Sequence, residues 1–271
     1  MACLGSLGLV AGACYSTPGL KATVDRIVRV EGVVLQSETI DLHLARPTRG
    51  RPGPPLLLYA TGDGGWRPAD RKLFQALADW GYPVAGFAAP AYLRHFRDVP
   101  GLVTPAHVAE DYQRLAHAAL GGLGLPLDTH LVLMGFSRGA GLAIVAASRP
   151  ELRPGLEGVV VAALTDVEEH VHHRHGASQP GDRPQLFEPF AELPAMGTTP
   201  VVVIQSTQDH YLPAAAARRL FGPDSRDRRL IAVEASGHTF GGAREELLER
   251  VRESLAWIVA RQQSGSARSQ Q

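Results

Sequence analysis

His130-Leu131-Val132-Leu133-Met134-Gly135-Phe136-Ser137-Arg138-Gly139 is the stretch on which the fold turns. Its first seven residues read as a strand buried on both faces, because nearly every position is apolar. The segment 138–148 is apolar almost all round and reads as a central, buried helix. Strand, Gly-Phe-Ser-Arg-Gly, helix is the context that a G-x-S-x-G nucleophile turn requires. Glycines two residues either side of Ser137 let strand and helix approach closely. The helix N-terminus then aims N–H groups and positive dipole at the reacting oxygen. Ser137 is therefore the candidate nucleophile, and an ordinary strand-to-helix turn is the competing reading.

Working outward, further short apolar runs fall at 26–35, 39–45, 55–60, 83–88, 158–164, 200–205 and 229–235. Val201-Val202-Val203-Ile204 has no polar position, as expected of a parallel strand covered on both sides. The first two runs alternate more and suit an antiparallel edge. Helical patterns lie between the later runs. Thr104-Pro105 reads as an N-cap and first helical residue, with Gly121-Gly122 as the stop. Leu247, Leu248, Val251, Leu255, Ile258 and Val259 form an apolar stripe near the C-terminus. From about Pro55 the β-then-α order repeats, which predicts an α/β fold with a mostly parallel sheet of about eight strands and helices on both faces.

A serine hydroxyl near neutral pH needs a base to become a nucleophile. The run 200–205 leads into Ser206-Thr207-Gln208-Asp209, and the run 229–235 into Ser236-Gly237-His238. Ser137, Asp209, His238 is the chain order of the α/β-hydrolase fold. Asp209 would orient the imidazole of His238, and Asp166 is the competing acid. A tetrahedral intermediate also needs backbone donors. The N–H of Arg138 is one, and the loop Thr61-Gly62-Asp63-Gly64-Gly65-Trp66 offers the other, at Asp63 or, failing that, Gly64. The loop matches no phosphate-binding pattern.

The 271 residues, 45% hydrophobic and 20% charged, predict a globular core. Lys+Arg and Asp+Glu are both 27, so no net positive charge calls for nucleic acid. The two cysteines, Cys3 and Cys14, offer no disulfide within a mature chain and no catalytic thiol. Residues 1–14 read as a leader for export, with Val10-Ala11-Gly12-Ala13-Cys14 resembling a lipoprotein cleavage site. The expectation is a periplasmic or exported protein, anchored to the membrane surface if Cys14 is lipidated. A single domain is expected over 24–261, with a lid-like excursion at 166–196 and a disordered tail at 262–271. His170, His172, His173 and His175 fall in that excursion. A solvated cluster is favoured there over zinc, so no metal or other cofactor is expected.

Thr61-Gly62-Asp63-Gly64-Gly65-Trp66-Arg67 with Asp70 resembles the S-G-D-G-G-W signature of the VirJ/AcvB-type bacterial virulence proteins. The similarity continues through the Gly-Phe-Ser turn and Asp166-x-Glu168-x-His170 to the C-terminal Gly-His. The resemblance implies a periplasmic α/β-hydrolase-like protein acting on aminoacyl-phosphatidylglycerol, notably the lysyl ester. Arg138 and Gly141 stand where that pattern has an aromatic residue and an Asp. Asp63, Gly64, Trp66, Asp166 and Glu168 are the expected substrate-binding residues, the carboxylates to hold an ammonium group. Arg138 would contact a lipid phosphate or pair with a nearby carboxylate. The other functional readings are a general carboxylesterase and a non-catalytic envelope protein that keeps the fold to bind partners.

Overall fold

The computed structural model describes residues 29–35, 38–47, 53–94, 96, 103–169 and 186–269. The leader with Cys14 and the cluster from His170 to His175 lie outside them.

Strands β1 (Arg29–Leu35), β2 (Glu38–Ala45), β3 (Leu56–Ala60), β4 (Val84–Phe87), β5 (Leu131–Phe136) and β6 (Leu156–Ala162) form most of the sheet. After the small antiparallel pair β7 (Glu168–Glu169) and β8 (Leu186–Phe187) come β9 (Val201–Gln208) and β10 (Arg228–Ser236). The main sheet has eight strands in the order β1-β2-β4-β3-β5-β6-β9-β10. β2 is antiparallel to both β1 and β4, and every other pairing is parallel. All eight expected runs are strands of it.

Side chains alternate between two cores, which explains the unbroken apolar runs. Leu56, Leu58, Val159, Val161, Val201 and Val203 face one core. Leu57, Tyr59, Val160, Val202 and Ile204 face the other. Helices α2 (Ala89–Arg94), α3 (Pro105–Leu123), α4 (Arg138–Ala147), α5 (Pro189–Glu192) and α6 (Ala214–Phe221) cover the first. Helices α1 (Pro68–Asp79) and α7 (Arg244–Ser269) cover the second. Neither face of the central strands meets water, so neither can carry polar residues without partners.

Two expectations need correcting. α3 runs through Gly121-Gly122 and stops at Gly124, whose left-handed backbone (φ 66°) forms the cap. The tail from Gln262, expected to be disordered, continues α7 as far as Ser269. Once the turns around Val251, Leu255 and Ile258 are packed, each added turn avoids the cost of nucleation. The far end of the excursion 166–196 packs onto the body of the protein. Phe187, Phe190, Leu193 and Met196 are buried in the first core. Among the described residues, no helix is long and apolar enough to cross a membrane.

Candidate active site

The chain leaves β3 for α1 on one face of the sheet and leaves the adjacent β5 for α4 on the other. Such a divergence opens a crevice at the carboxyl ends of the two strands. Ser137 stands in it. Its backbone (φ 51°, ψ −119°) lies where L-residues are strained, and its N–H donates to Ala162 O at 2.9 Å. Both flanking glycines are required by contact. A Cβ on Gly135 would lie 2.1 Å from Gly139 O, and one on Gly139 would lie 2.2 Å from Ala60 O. The motif is therefore a three-way crossing of β5, α4 and the end of β3.

The ends of the last two strands, β9 and β10, deliver an acid and a histidine. His238 Nε2 is 2.7 Å from Ser137 Oγ, and His238 Nδ1 is 2.8 Å from Asp209 Oδ2. A carboxylate can only accept, so Nδ1 carries the proton and neutral Nε2 accepts from the Ser137 hydroxyl. Burial pushes the Asp209 carboxyl up. The hydrogen bonds from His238, Tyr211 N–H and Leu212 N–H, with the charge of His238, outweigh burial and hold it below its ordinary value. Asp166, the competing acid, is exposed and accepts from its neighbour Val167 N–H at 3.0 Å.

Two further residues hold this arrangement, and nothing in the sequence marked them. Gln205 is fully buried. Its amide donates to Asp209 Oδ2 at 3.2 Å and Leu212 O at 2.6 Å, and accepts from Leu164 N–H at 3.1 Å. It read as the last residue of an apolar strand. Phe240 is also fully buried and closes the His238 loop, in which Ser236 and Gly241 exchange backbone hydrogen bonds at 3.0 and 2.9 Å. Tyr211, 63% exposed, sets its ring 4.8 Å from that of His238 at the mouth of the crevice.

Arg138 resolves the guess made about it in favour of carboxylate pairing. Its Nε and Nη2 donate to the two oxygens of Asp63 at 2.9 and 3.2 Å, and its Nη1 lies 2.8 Å from Glu168 Oε2. The guanidinium and Glu168 are buried, while the Asp63 side chain is 57% exposed. Burial raises the Glu168 carboxyl above its ordinary value, opposed by Arg138 and by a hydrogen bond from Thr165. Gly141 makes this possible, since a Cβ there would lie 2.7 Å from Glu168 Cγ. Where the resembled pattern has an Asp, this chain instead seats a carboxylate arriving from β7. Of the carboxylates expected to bind an ammonium, Asp63 and Glu168 already hold a cation of the protein's own.

The rest of the glycine loop divides between the site and the core. Gly62 packs beside Ser137, its added Cβ falling 3.3 Å from Ser137 Cβ. The loop turn is closed by Gly65 N–H to Gly62 O at 3.0 Å. Gly64 is exposed, with the Arg67 side chain against it. Trp66 turns toward the core. Its ring packs at 4.6 Å from His43 and 5.2 Å from Phe74 in the second core, because α1 must be seated there. Asp70 caps α1 through Arg67 N–H at 3.2 Å and accepts from Tyr59 Oη at 2.6 Å. Among the described residues, no group of three or more His, Cys, Asp or Glu is placed to hold a metal ion.

Residues 55–209 match the family described as bacterial virulence protein (VirJ). The match runs from the start of β3 to Asp209 and stops short of His238. No curated protein matches the chain in sequence. In three dimensions the chain is similar to Est1E from Butyrivibrio proteoclasticus, with a TM-score of 0.60 at 12% identity over 85% of this chain and 99% of that one. It is also similar to the apo form of Thermogutta terrifontis esterase 2, with a TM-score of 0.59 at 18% identity over 86% of this chain and 96% of that one. At such identities the likeness speaks for the fold, which is that of the α/β-hydrolases.

Proposed function

The chain belongs to the bacterial virulence protein (VirJ) family, and on that footing we propose that it hydrolyses esters, with Ser137 as nucleophile, His238 as base and then acid, and Asp209 as the residue orienting His238. The observation that carries this reading is the unbroken relay from Ser137 Oγ through both ring nitrogens of His238 to buried Asp209. Ser137 Oγ attacks the ester carbonyl as its proton passes to His238 Nε2. The N–H groups of Arg138 and Asp63, or Gly64 in place of Asp63, hold the oxyanion. Collapse breaks the bond to the alcohol, which leaves with the proton from His238. Water, deprotonated by His238, then attacks the acyl-enzyme; the acyl–Oγ bond breaks, His238 returns the proton to Ser137 Oγ, and the acid is released.

For substrate, we propose an aminoacyl ester of phosphatidylglycerol, notably the lysyl ester, met in the envelope by an exported protein that Cys14 ties to the membrane surface. Asp63, Asp166 and Glu168 outnumber Arg138 at the carboxyl ends of β3 and β6, which leaves a negative rim for an ammonium group. With Asp63 and Glu168 engaged, exposed Asp166 is the residue for that contact. The pairing by Arg138 favours a second reading, a carboxylesterase for neutral esters.

A fluorophosphonate probe tests the chemistry. Wild-type protein is labelled and Ser137→Ala is not. An unlabelled wild type would sink the hydrolase reading in favour of a non-catalytic binding protein. Lysyl-phosphatidylglycerol assayed beside a neutral short-chain ester then separates the substrates. Asp166→Asn raises KM for the lysyl ester alone, and equal slowing of both esters disposes of ammonium recognition.

A further inference from the structure

We propose that the side-chain ion pair between Asp63 and Arg138 sets the spacing of the oxyanion hole that their own backbones form. This rests on the ester-hydrolase reading above and adds positioning residues to it. The two donor residues sit on separate elements, one in the loop after β3 and one at the first residue of α4. Their side chains meet in a fork-to-fork pair, Arg138 Nε and Nη2 on Asp63 Oδ1 and Oδ2. A two-point contact of this kind fixes orientation as well as distance.

The brace has a stiff end and a loop end. At the stiff end, Glu168 receives the third arm of the guanidinium at 2.8 Å. Glu168 is buried, bonded to Thr165 and seated on the bare backbone of Gly141. At the loop end, Asp63 is 57% exposed. An ion pair with one exposed partner contributes little to folding stability. Stability alone therefore does not account for the arm that Arg138 extends to Asp63, as distinct from its buried pair with Glu168. Geometry does: Gly62, the residue before Asp63, runs so close to Ser137 that an added Cβ would lie 3.3 Å from Ser137 Cβ, so a small displacement of the loop moves a donor relative to the reacting carbonyl.

Arg138→Lys keeps the charge and removes the fork, while Asp63→Asn removes the loop-end charge. The measurements on the full chain are fluorophosphonate labelling rate, kcat and KM on a neutral short-chain ester, affinity for an alkyl boronic acid that mimics the tetrahedral intermediate, and the urea midpoint. The expected result in both variants is a fall in kcat of about 10- to 100-fold, a part of what losing one donor costs. KM stays within about two-fold and boronate affinity falls by the same factor as kcat/KM; the urea midpoint of Asp63→Asn barely moves, whereas Arg138→Lys, which disturbs the buried pair with Glu168, lowers it. Asp63→Glu, which returns the carboxylate, recovers part of the loss. If the wild type is labelled and Asp63→Asn keeps wild-type kcat and boronate affinity, the brace is wrong and the hydrolase reading stands. If the wild type is not labelled, both fall together.

Discussion

Asp209 and Glu168 are buried carboxylates displaced in opposite directions from their ordinary titration range, one lowered and one raised. The lowered group stabilises the fold fully above the unfolded carboxylate range, about pH 4, and loses that contribution as pH falls through its folded value. The raised group contributes most below that range and loses its contribution as pH rises through its folded value. Urea stability should therefore drop toward acid for the wild type relative to Asp209→Asn. It should drop as pH rises above about 4 for the wild type relative to Glu168→Gln. Parallel slopes for the two pairs would contradict the assignment. In catalysis, Asp209→Asn should lower kcat by about 10,000-fold, since the amide favours the wrong imidazole tautomer. Ser137, Asp209 and His238 could be named from the sequence because each follows a strand in a fixed chain order. Gln205 could not, since a glutamine ending an apolar strand looks like any strand-end residue until Asp209 and Leu212 fold back over it.

The crossing of β5, α4 and β3 leaves no room for a methyl group at either flanking glycine. Gly139→Ala should cost about 1–3 kcal/mol or more from overpacking against Ala60 O, read as a lower urea midpoint at unchanged m-value. It should also slow labelling of Ser137 in the molecules that remain folded. A variant of wild-type stability would mean that the strand and helix are not in contact there. At this scale the strands were the legible part, because a run buried on both faces admits few other readings. Their ends were less so. β9 continues through Ser206-Thr207-Gln208, polar residues that alternation cannot extend, because Ser206 Oγ bonds to Ala235 O on β10. Trp66 shows a related effect. Its neighbours belong to the site, but the turn into α1 rotates its ring into the core.

Across the whole molecule, the site is a composite of strand ends held in place by two cores, and neither core includes the relay itself. Leu255 on α7 is fully buried in the second core. Leu255→Ala should destabilise the protein by about 2–5 kcal/mol in urea unfolding. The labelling rate per folded molecule should stay near the wild-type value, and a large fall would show that α7 shapes the site directly. The same view gives a meaning to the positive φ of Ser137. A strained residue persists only because the surrounding structure over-determines it, at about 1–3 kcal/mol. Ser137 is thus a standing load on the fold, and removing the side chain relieves it. Ser137→Gly should gain up to about 2 kcal/mol in urea stability after the entropy cost of glycine, while losing all turnover. On the proposed reading, a relative that dispenses with catalysis would drift toward greater stability at this one position, which makes residue 137 a gauge of whether a relative does chemistry.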